Sequence, residues 1–234
     1  MIFNDNIINL FLGDTRMLIN KMKEKLNKII PKFAVFPLIC VIILQFLVYL
    51  GTKAITQNSV HIYPMLPIDN YIPFIPWFIY IYVGCYIHWY VTYVLVAHTS
   101  KSHFLRFMNA VAISYIICGI IYLAMPTTID RPDIGNVGGL AGFLLTTIYS
   151  ADTPVNLFPS MHCLISWLCW IGMRGQKKIP LWYRVFTFVL GILVCVSTVT
   201  VKQHFFIDIV AGVLVAEVSW FISRFIHKKK ELSV

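Results

Sequence analysis

Long apolar runs, each close to the length of a bilayer crossing, restrict what this chain can fold into. The 234 residues are 59% hydrophobic and 12% charged, whereas a typical soluble domain is about 45–50% apolar and about 25% charged. A membrane-spanning helix needs about 17–25 mostly apolar residues. The pattern therefore predicts an all-α integral membrane bundle of six transmembrane helices, at Phe33–Ile55, Ile72–Ala97, Phe104–Met125, Ser160–Met173, Pro180–Val201 and Phe205–Ile226.

Two apolar segments are short for a full crossing. The run Ser160–Met173 begins with polar residues, so we expect its start to lie recessed in the outer half of the bilayer. The segment Gly139–Tyr149 is shorter still, at about 11 residues, and this length favours a helix that lies on the surface or re-enters over a further span.

The basic residues predict the orientation of the chain. Most lysines and arginines fall before the first span, between the second and third, between the fourth and fifth, and after the sixth, whereas the other side has Lys53, Arg131 and Lys202. Because cytoplasmic loops are enriched in lysine and arginine, both termini are expected in the cytoplasm of a cell-membrane protein. The net charge of +9 is then mainly a topology signal, and a nucleic-acid partner is not indicated.

The sequence predicts one membrane domain with two cytoplasmic extensions. Residues 1–32 place apolar side chains near one helical face with lysines elsewhere, which is typical of a helix lying on an anionic leaflet. A solvated basic tail is the alternative. Residues 33–226 form the predicted six-helix catalytic domain, and residues 227–234 form a basic tail. The six cysteines include no CxxC pair, so neither a disulfide framework nor a zinc site is indicated.

Three polar clusters interrupt this apolar chain, and the predicted orientation places all of them on the outer side. The first contains Arg131, and the second contains Ser160 and His162. The third lies between the last two predicted spans and contains Ser197, Lys202, His204 and Asp208.

The spacing within these clusters suits attack on phosphorus. His204 and Asp208 are four residues apart and share a helical face, so the carboxylate can orient the imidazole and leave its other nitrogen free as a nucleophile or base. His162 falls in the first turn of a helix, where free N–H groups attract anions, and it can protonate a leaving oxygen. Arg131 and Lys202 supply positive charge for an anionic group.

The order and spacing of these residues resemble the type 2 phosphatidic acid phosphatase superfamily of membrane lipid phosphatases and phosphotransferases. Arg131-Pro132 matches the end of the first family signature, and "PSMH" at 159–162 matches the second except for Met161 in place of glycine. Ser197, His204 and Asp208 match the third signature at the right intervals. The resemblance covers about the last half of the chain.

The resemblance implies a role for each matching residue. His204 would attack phosphorus and form a phosphohistidine, Asp208 would orient it, and His162 would protonate the leaving lipid oxygen. The phosphate would be held by Arg131, Ser160, the backbone near Met161 and, by its place in the third signature, Ser197. No metal and no cofactor would be needed, and the partners would be a membrane lipid phosphate and the bilayer itself. The oligomeric state stays open.

Two departures from the signatures remove positive charge. Ala124 and Thr198 stand where the family has lysine and arginine, and such changes resemble the inositol phosphorylceramide synthase-like branch. If the fifth helix continues to Lys202, this lysine would share a face with Thr198 and could replace the missing arginine. Hydrolysis of a lipid phosphate or diphosphate is the expected activity, and head-group transfer is the alternative. A noncatalytic membrane transporter or lipid-binding protein is the remote alternative.

Glu217 lies within the last predicted span, where an acid often marks a functional site. It is nine residues after Asp208, which places it out of phase on the helix and some 13–14 Å deeper. We therefore predict that Glu217 is not catalytic and that it pairs with a polar neighbour or reaches the inner interface. Gly212 and Ala216 continue the Asp208 face and predict close helix packing there.

Overall fold

The computed structural model describes residues 27–232, with side chains to Lys228. This part of the chain is helical and contains no β-strand. Two 3-10 turns, Pro67–Tyr71 and Pro76–Phe78, precede the second α-helix. The α-helices are α1 Lys32–Thr56, α2 Ile79–Ala97, α3 Lys101–Ala124, α4 Gly139–Ala151, α5 Met161–Met173, α6 Leu181–Thr200 and α7 Phe206–Leu232. Residues 1–26 of the predicted amphipathic segment, and 233–234 of the predicted tail, lie outside the described residues.

Within the described residues, five helical segments are long and apolar enough to cross a membrane. They are Lys32–Thr56, Pro76–Ala97, Lys101–Ala124, Leu181–Thr200 and Phe206–Lys228. The chain is therefore a multi-pass membrane protein with an all-helical fold, as predicted. Five of the six predicted spans meet this criterion, and the fourth forms the shorter apolar helix α5 of 13 residues.

Helix α5 is short because protein surrounds it. Its residues are almost all buried, and it packs against α2, α3, α6 and α7. A helix of 13 residues is about 20 Å long, which is less than the hydrocarbon thickness of about 30 Å. Since α5 contacts neighbouring helices over most of its surface, the thickness of the bilayer does not set its length.

Hydrogen bonds at both ends show that α5 runs antiparallel to α3. The Tyr122 hydroxyl, near the end of α3, donates to the Pro159 carbonyl just before α5 at 2.8 Å. The His103 ring, near the start of α3, donates to the Gly172 carbonyl near the end of α5 at 2.8 Å. Despite its length, α5 therefore carries the chain from one end of the bundle to the other.

The end of the bundle that carries Gly172 also carries His98, Arg106, Arg174 and Lys178, and we call it the basic end. His98 donates to the Ile29 carbonyl there, and the Ser223 hydroxyl donates to the Arg106 carbonyl. Both ends of the described chain thus lie at the basic end. This agrees with the prediction that the two termini share a side.

The tightest helix contact joins α5 to α7. A Cβ atom on Gly212 would lie 2.7 Å from the Ser160 carbonyl oxygen and 3.2 Å from the Cys163 Cβ, so only glycine fits without a shift. Four residues later, Ala216 is fully buried. The predicted close packing along the Asp208 face of α7 is confirmed.

Glu217 has the polar partners that the sequence suggested, and the segment after residue 138 forms a short helix. The Glu217 carboxylate accepts a hydrogen bond from the Trp167 indole at 3.0 Å and lies 3.4 Å from Arg174, which confirms that it pairs with polar neighbours. The segment Gly139–Tyr149 falls in the short helix α4. Ala141 and Leu145 of α4 pack against Ile79 and Val201, whereas Leu140 and Phe143 are exposed.

A labelling experiment in intact cells would determine which end of the bundle faces the outside of the cell. We expect Asn136→Cys, in an exposed loop at the end opposite the basic end, to react with an impermeant thiol reagent added outside, because that end is predicted to be extracytoplasmic. Lys177→Cys, exposed at the basic end, should react only after permeabilisation. The parent chain is the control for the native cysteines, and the reverse labelling pattern would overturn the orientation.

Candidate active site

His204 and Asp208 form a buried pair in the turn between α6 and α7. The Asp208 Oδ2 accepts a hydrogen bond from His204 Nδ1 at 3.2 Å and another from the Phe205 backbone N–H at 2.9 Å. Asp208 is fully buried and His204 is 7% exposed. Because Nδ1 carries the proton toward the carboxylate, Nε2 is left with a free lone pair, as a nucleophile or base requires.

Two opposing effects act on the ionisation of His204. Burial favours the neutral imidazole and lowers its pKa, but the hydrogen bond and negative charge of Asp208 outweigh burial, so the pKa of His204 is raised above its ordinary value. The pair therefore supports a positive charge on this ring, as a group bound to phosphorus would need.

His162 lies close to this pair, at the start of α5. Its ring centroid is 6.0 Å from that of His204. Three aromatic residues on one face of α2 enclose it: Tyr82 stacks on the ring at 4.3 Å, and Tyr86 and Trp89 lie at 5.5 Å. The Tyr86 hydroxyl lies 2.9 Å from His162 Nε2, and the Tyr82 hydroxyl lies 3.4 Å from Nδ1. Both ring nitrogens therefore have partners through which a proton can move.

Ser160 is the N-cap of α5, as its position in the sequence suggested. Its hydroxyl accepts a hydrogen bond from the Cys163 backbone N–H at 3.4 Å, and its own N–H donates to the Asp208 carbonyl at 3.1 Å. Met161 is the first helical residue and is partly buried. The first turn of α5 is thus anchored directly to the first turn of α7, and its N–H groups lie near both histidines.

Arg131 is held by two acceptors. Its guanidinium donates to the Tyr149 carbonyl at 3.0 Å and to the Gln203 Oε1 at 2.6 Å. It also lies over the Tyr149 ring, 4.6 Å from the centroid. Gln203, directly before His204 in the chain, therefore positions a cation beside the candidate nucleophile.

A cavity of about 420 Å³ brings Arg131, Lys202 and His204 together. Apolar side chains form much of its wall, and the remaining lining includes two carboxylates; the residues are Tyr63, Met65, Asp69, Asn70, Ile72, Ile129, Asp130, Pro132, Val199 and Phe205. His162 and Ser160 do not line this cavity, although the His162 ring lies next to that of His204. The cavity thus combines two cations, one candidate nucleophile and an apolar wall.

Lys202 reaches the cavity by a route that the sequence did not predict. Helix α6, the fifth predicted span, ends at Thr200, so the condition under which Lys202 would share a helical face with Thr198 is not met. Lys202 has a φ of +52°, and this left-handed conformation turns the chain back, so that the Gln203 and His204 N–H groups both donate to the Thr198 carbonyl. The Lys202 ammonium donates to the Ile72 carbonyl at 2.6 Å.

Ser197 and Thr198 point their hydroxyls into α6. Ser197 donates to the Val194 carbonyl at 2.7 Å, and Thr198 donates to the Cys195 carbonyl at 2.8 Å. Both residues are fully buried, and neither lines the cavity. In the structure, then, Ser197 lies beneath the site, and a phosphate contact from it stays a prediction.

Asp69 is a site residue that sequence reasoning missed. One oxygen of its buried carboxylate accepts from the Leu66 N–H, and the other accepts from the Phe206 N–H at 2.8 Å. It therefore caps α7 from the distant loop between α1 and α2, where a negative charge is favourable. The signal in the sequence is a lone acid after a proline in "LPIDN", and nothing there indicates its distant partner.

Tyr82, Tyr86 and Gln203 were also missed. The tyrosines recur at the spacing of a helical face within an apolar run, a pattern that usually means packing.

Among the described residues, no group of three or more His, Cys, Asp or Glu side chains is placed to hold a metal ion.

The chain is thus a multi-pass membrane protein with a buried histidine–aspartate pair beside two cations. Comparison with known families agrees. A sequence profile of the PAP2 superfamily matches residues 54–222, which is most of the chain. The protein belongs to the PAP2 superfamily, and this membership implies activity of the phosphatase or phosphotransferase type. No curated protein and no protein of solved structure shows significant similarity to it.

Lys202 provides a test of the cavity as the site of phosphate transfer. We expect Lys202→Gln to lower kcat/KM about tenfold or more, since losing a charged hydrogen bond costs about 1.5–3 kcal/mol. The side chain keeps a similar length, so the effect reports mainly the charge. Lys53→Gln, predicted on the same side of the membrane but outside the cavity, is the matched control. Unchanged steady-state kinetics for Lys202→Gln would show that the lysine only tethers the loop.

Proposed function

We propose that the protein is a lipid phosphate or diphosphate phosphatase that acts at the extracytoplasmic membrane face. The observation that carries the proposal is the placement of His204. It lines a cavity that also contains Arg131 and Lys202, and the Asp208 carboxylate holds its Nδ1 from behind. A nucleophile with an oriented ring and nearby cations is what transfer of a phosphoryl group requires.

The proposed reaction has two steps. In the first, His204 Nε2 attacks phosphorus, the bond between phosphorus and the lipid oxygen breaks, and His162 gives a proton to the leaving oxygen. In the second, water attacks the phosphohistidine, His162 takes a proton from that water, and the bond between phosphorus and nitrogen breaks to release phosphate. Each proton that His162 gives up in the first step therefore returns to it in the second.

Negative charge stays on the transferred group throughout these steps, so the site must balance it. Arg131 and Lys202 face the cavity, and the N-terminus of α5 at Ser160 and Met161 supplies backbone N–H groups near both histidines. Arg131 and Lys202 are therefore the groups placed within the cavity to contact the non-bridging oxygens, and the α5 N-terminus adds positive potential nearby.

A lipid is the favoured substrate class because the cavity lining combines cations with apolar side chains. Tyr63, Met65, Ile72, Ile129 and Phe205 contribute apolar surface to the same cavity. A substrate with a phosphate joined to an apolar chain would satisfy both parts of this lining. A small hydrophilic phosphate ester would leave the apolar part without a partner.

Head-group transfer to a lipid alcohol is the second candidate, and the residues at Ala124 and Thr198 favour it. Both positions lack the cation that the family signatures have, and Thr198 is buried with its hydroxyl bonded within α6. A site with fewer cations suits a phosphodiester, which carries less charge than a monoester. In that reaction an alcohol would replace water in the second step.

Incubation of the purified protein with a panel of lipid phosphates tests the proposal. We expect release of inorganic phosphate from a monoester or diphosphate lipid without added alcohol. His204→Ala should abolish this release while the thermal unfolding transition is kept, because only the nucleophile is lost. Products that form only when an alcohol is present would establish transfer instead. Full turnover by His204→Ala would rule out the phosphohistidine mechanism.

The histidine–aspartate pair also predicts a pH dependence. His204 attacks only when neutral, and its pKa is raised above the ordinary value of about 6.5. Log kcat/KM should therefore fall as the pH decreases through this raised pKa, on the acid side of the profile. In Asp208→Asn the charge that raises the pKa is gone, so this limb should move to lower pH while the maximum rate drops. The same substrate is used for both proteins so that its own ionisation cancels, and superimposable profiles would contradict the pairing.

A further inference from the structure

A second cavity lies at the basic end of the bundle, far from the histidines. Its volume is about 270 Å³, and it lies where α5 ends and α6 begins. Its wall combines two arginines with large apolar residues, namely Trp170, Arg174, Leu181, Arg184, Val185 and Phe188. We call it the arginine groove. The proposed reaction uses none of these residues.

The two arginines bring more positive charge to the groove than its neighbours balance. Arg174 lies 4.7 Å from the centroid of the Trp170 ring and 3.4 Å from the Glu217 carboxylate. These side chains are 43% and 40% exposed, so the ion pair is weak and open to solvent. Arg184 has a buried Nε with no hydrogen-bond partner among the described residues. A buried donor of this kind is normally satisfied, which points to an anionic acceptor.

The apolar wall of the groove continues onto the outer surface of α6. Leu181 is 65% exposed and Val185 is 51% exposed, and both project from a helix long and apolar enough to span the membrane. Their exposed surfaces therefore face lipid. A molecule bound at the arginines would have its apolar part against Leu181, Val185 and Phe188.

We propose that the arginine groove binds an anionic phospholipid from the leaflet at the basic end, with its phosphate between Arg174 and Arg184 and an acyl chain along α6. Charge complementarity selects a phosphate or another anionic head group, and the apolar wall selects a lipid over free phosphate. Since Arg174 directly follows α5, whose other end carries Ser160 and His162, a bound lipid would stabilise the helix that positions the candidate acid.

The test uses the full chain with His204→Ala, so that no lipid is consumed and the result is independent of the proposed reaction. In phosphatidylcholine micelles, added phosphatidylglycerol should raise the Tm saturably, and native mass spectrometry should show the retained lipid. Arg184→Gln should weaken the apparent affinity about tenfold or more, as expected for a lost charged hydrogen bond. Arg224→Gln, which removes an exposed arginine outside the groove, is the matched control and should bind normally.

Three outcomes would overturn the proposal. One is equal stabilisation of Arg184→Gln and Arg224→Gln by phosphatidylglycerol, which would show that the lipid binds through nonspecific charge attraction. Another is an equal shift with phosphatidylcholine or inorganic phosphate alone, which would exclude an anionic lipid as the preferred ligand. If Arg184→Gln fails to fold, Arg174→Gln takes its place, and wild-type affinity in that variant is the third. A failed test here leaves the phosphatase proposal intact, because the groove and the His204 cavity lie at opposite ends.

Discussion

The contact between the first turns of α5 and α7 holds the candidate active site together. Gly212 lets the two helices approach until the Ser160 carbonyl oxygen lies 2.7 Å from where a Cβ would stand, and the Ser160 N–H donates to the Asp208 carbonyl. This contact places His162, in the first turn of α5, beside His204, in the turn that precedes α7. Their ring centroids are 6.0 Å apart. The Oδ2 atom of the buried Asp208 carboxylate accepts hydrogen bonds from His204 and the Phe205 N–H, whereas Oδ1 has no partner among the described residues. Separation of the two helices would move His162 away from His204 and Asp208.

A second layer of hydrogen bonds holds the loop between α1 and α2 against the His204 turn. Asp69 caps α7 at Phe206, the Lys202 ammonium donates to the Ile72 carbonyl, and the Ile75 N–H donates to the Thr200 carbonyl. These contacts form one wall of the cavity and fix the positive charge of Lys202 in it. Lys202 thus has two roles in the geometry, as a tether and as a cation beside the candidate nucleophile.

The bundle separates two kinds of polar surface, and α5 links them. One of its ends carries Ser160 and His162, and the other leads into Arg174 of the arginine groove. Arginines and lysines lie near the ends of the long apolar helices, as the cost of burying charge in hydrocarbon requires. On our two proposals, an anionic substrate binds at one end of the protein and an anionic lipid binds at the other.

The helical membrane fold, the order of the signatures and the spacing of His204 and Asp208 could be predicted from the sequence alone. These depend on local periodicity and on the length of apolar runs, which a bilayer makes unusually informative. The tertiary structure decided what depends on contacts between residues distant in the chain. It enclosed the short helix α5 in protein, ended α6 before Lys202, and directed the Ser197 hydroxyl into its own helix. It also brought Asp69 and Tyr86 to the site from segments whose sequences are typical of a loop and of a packed helix. No local pattern encodes such partners, because they are selected by packing across the bundle.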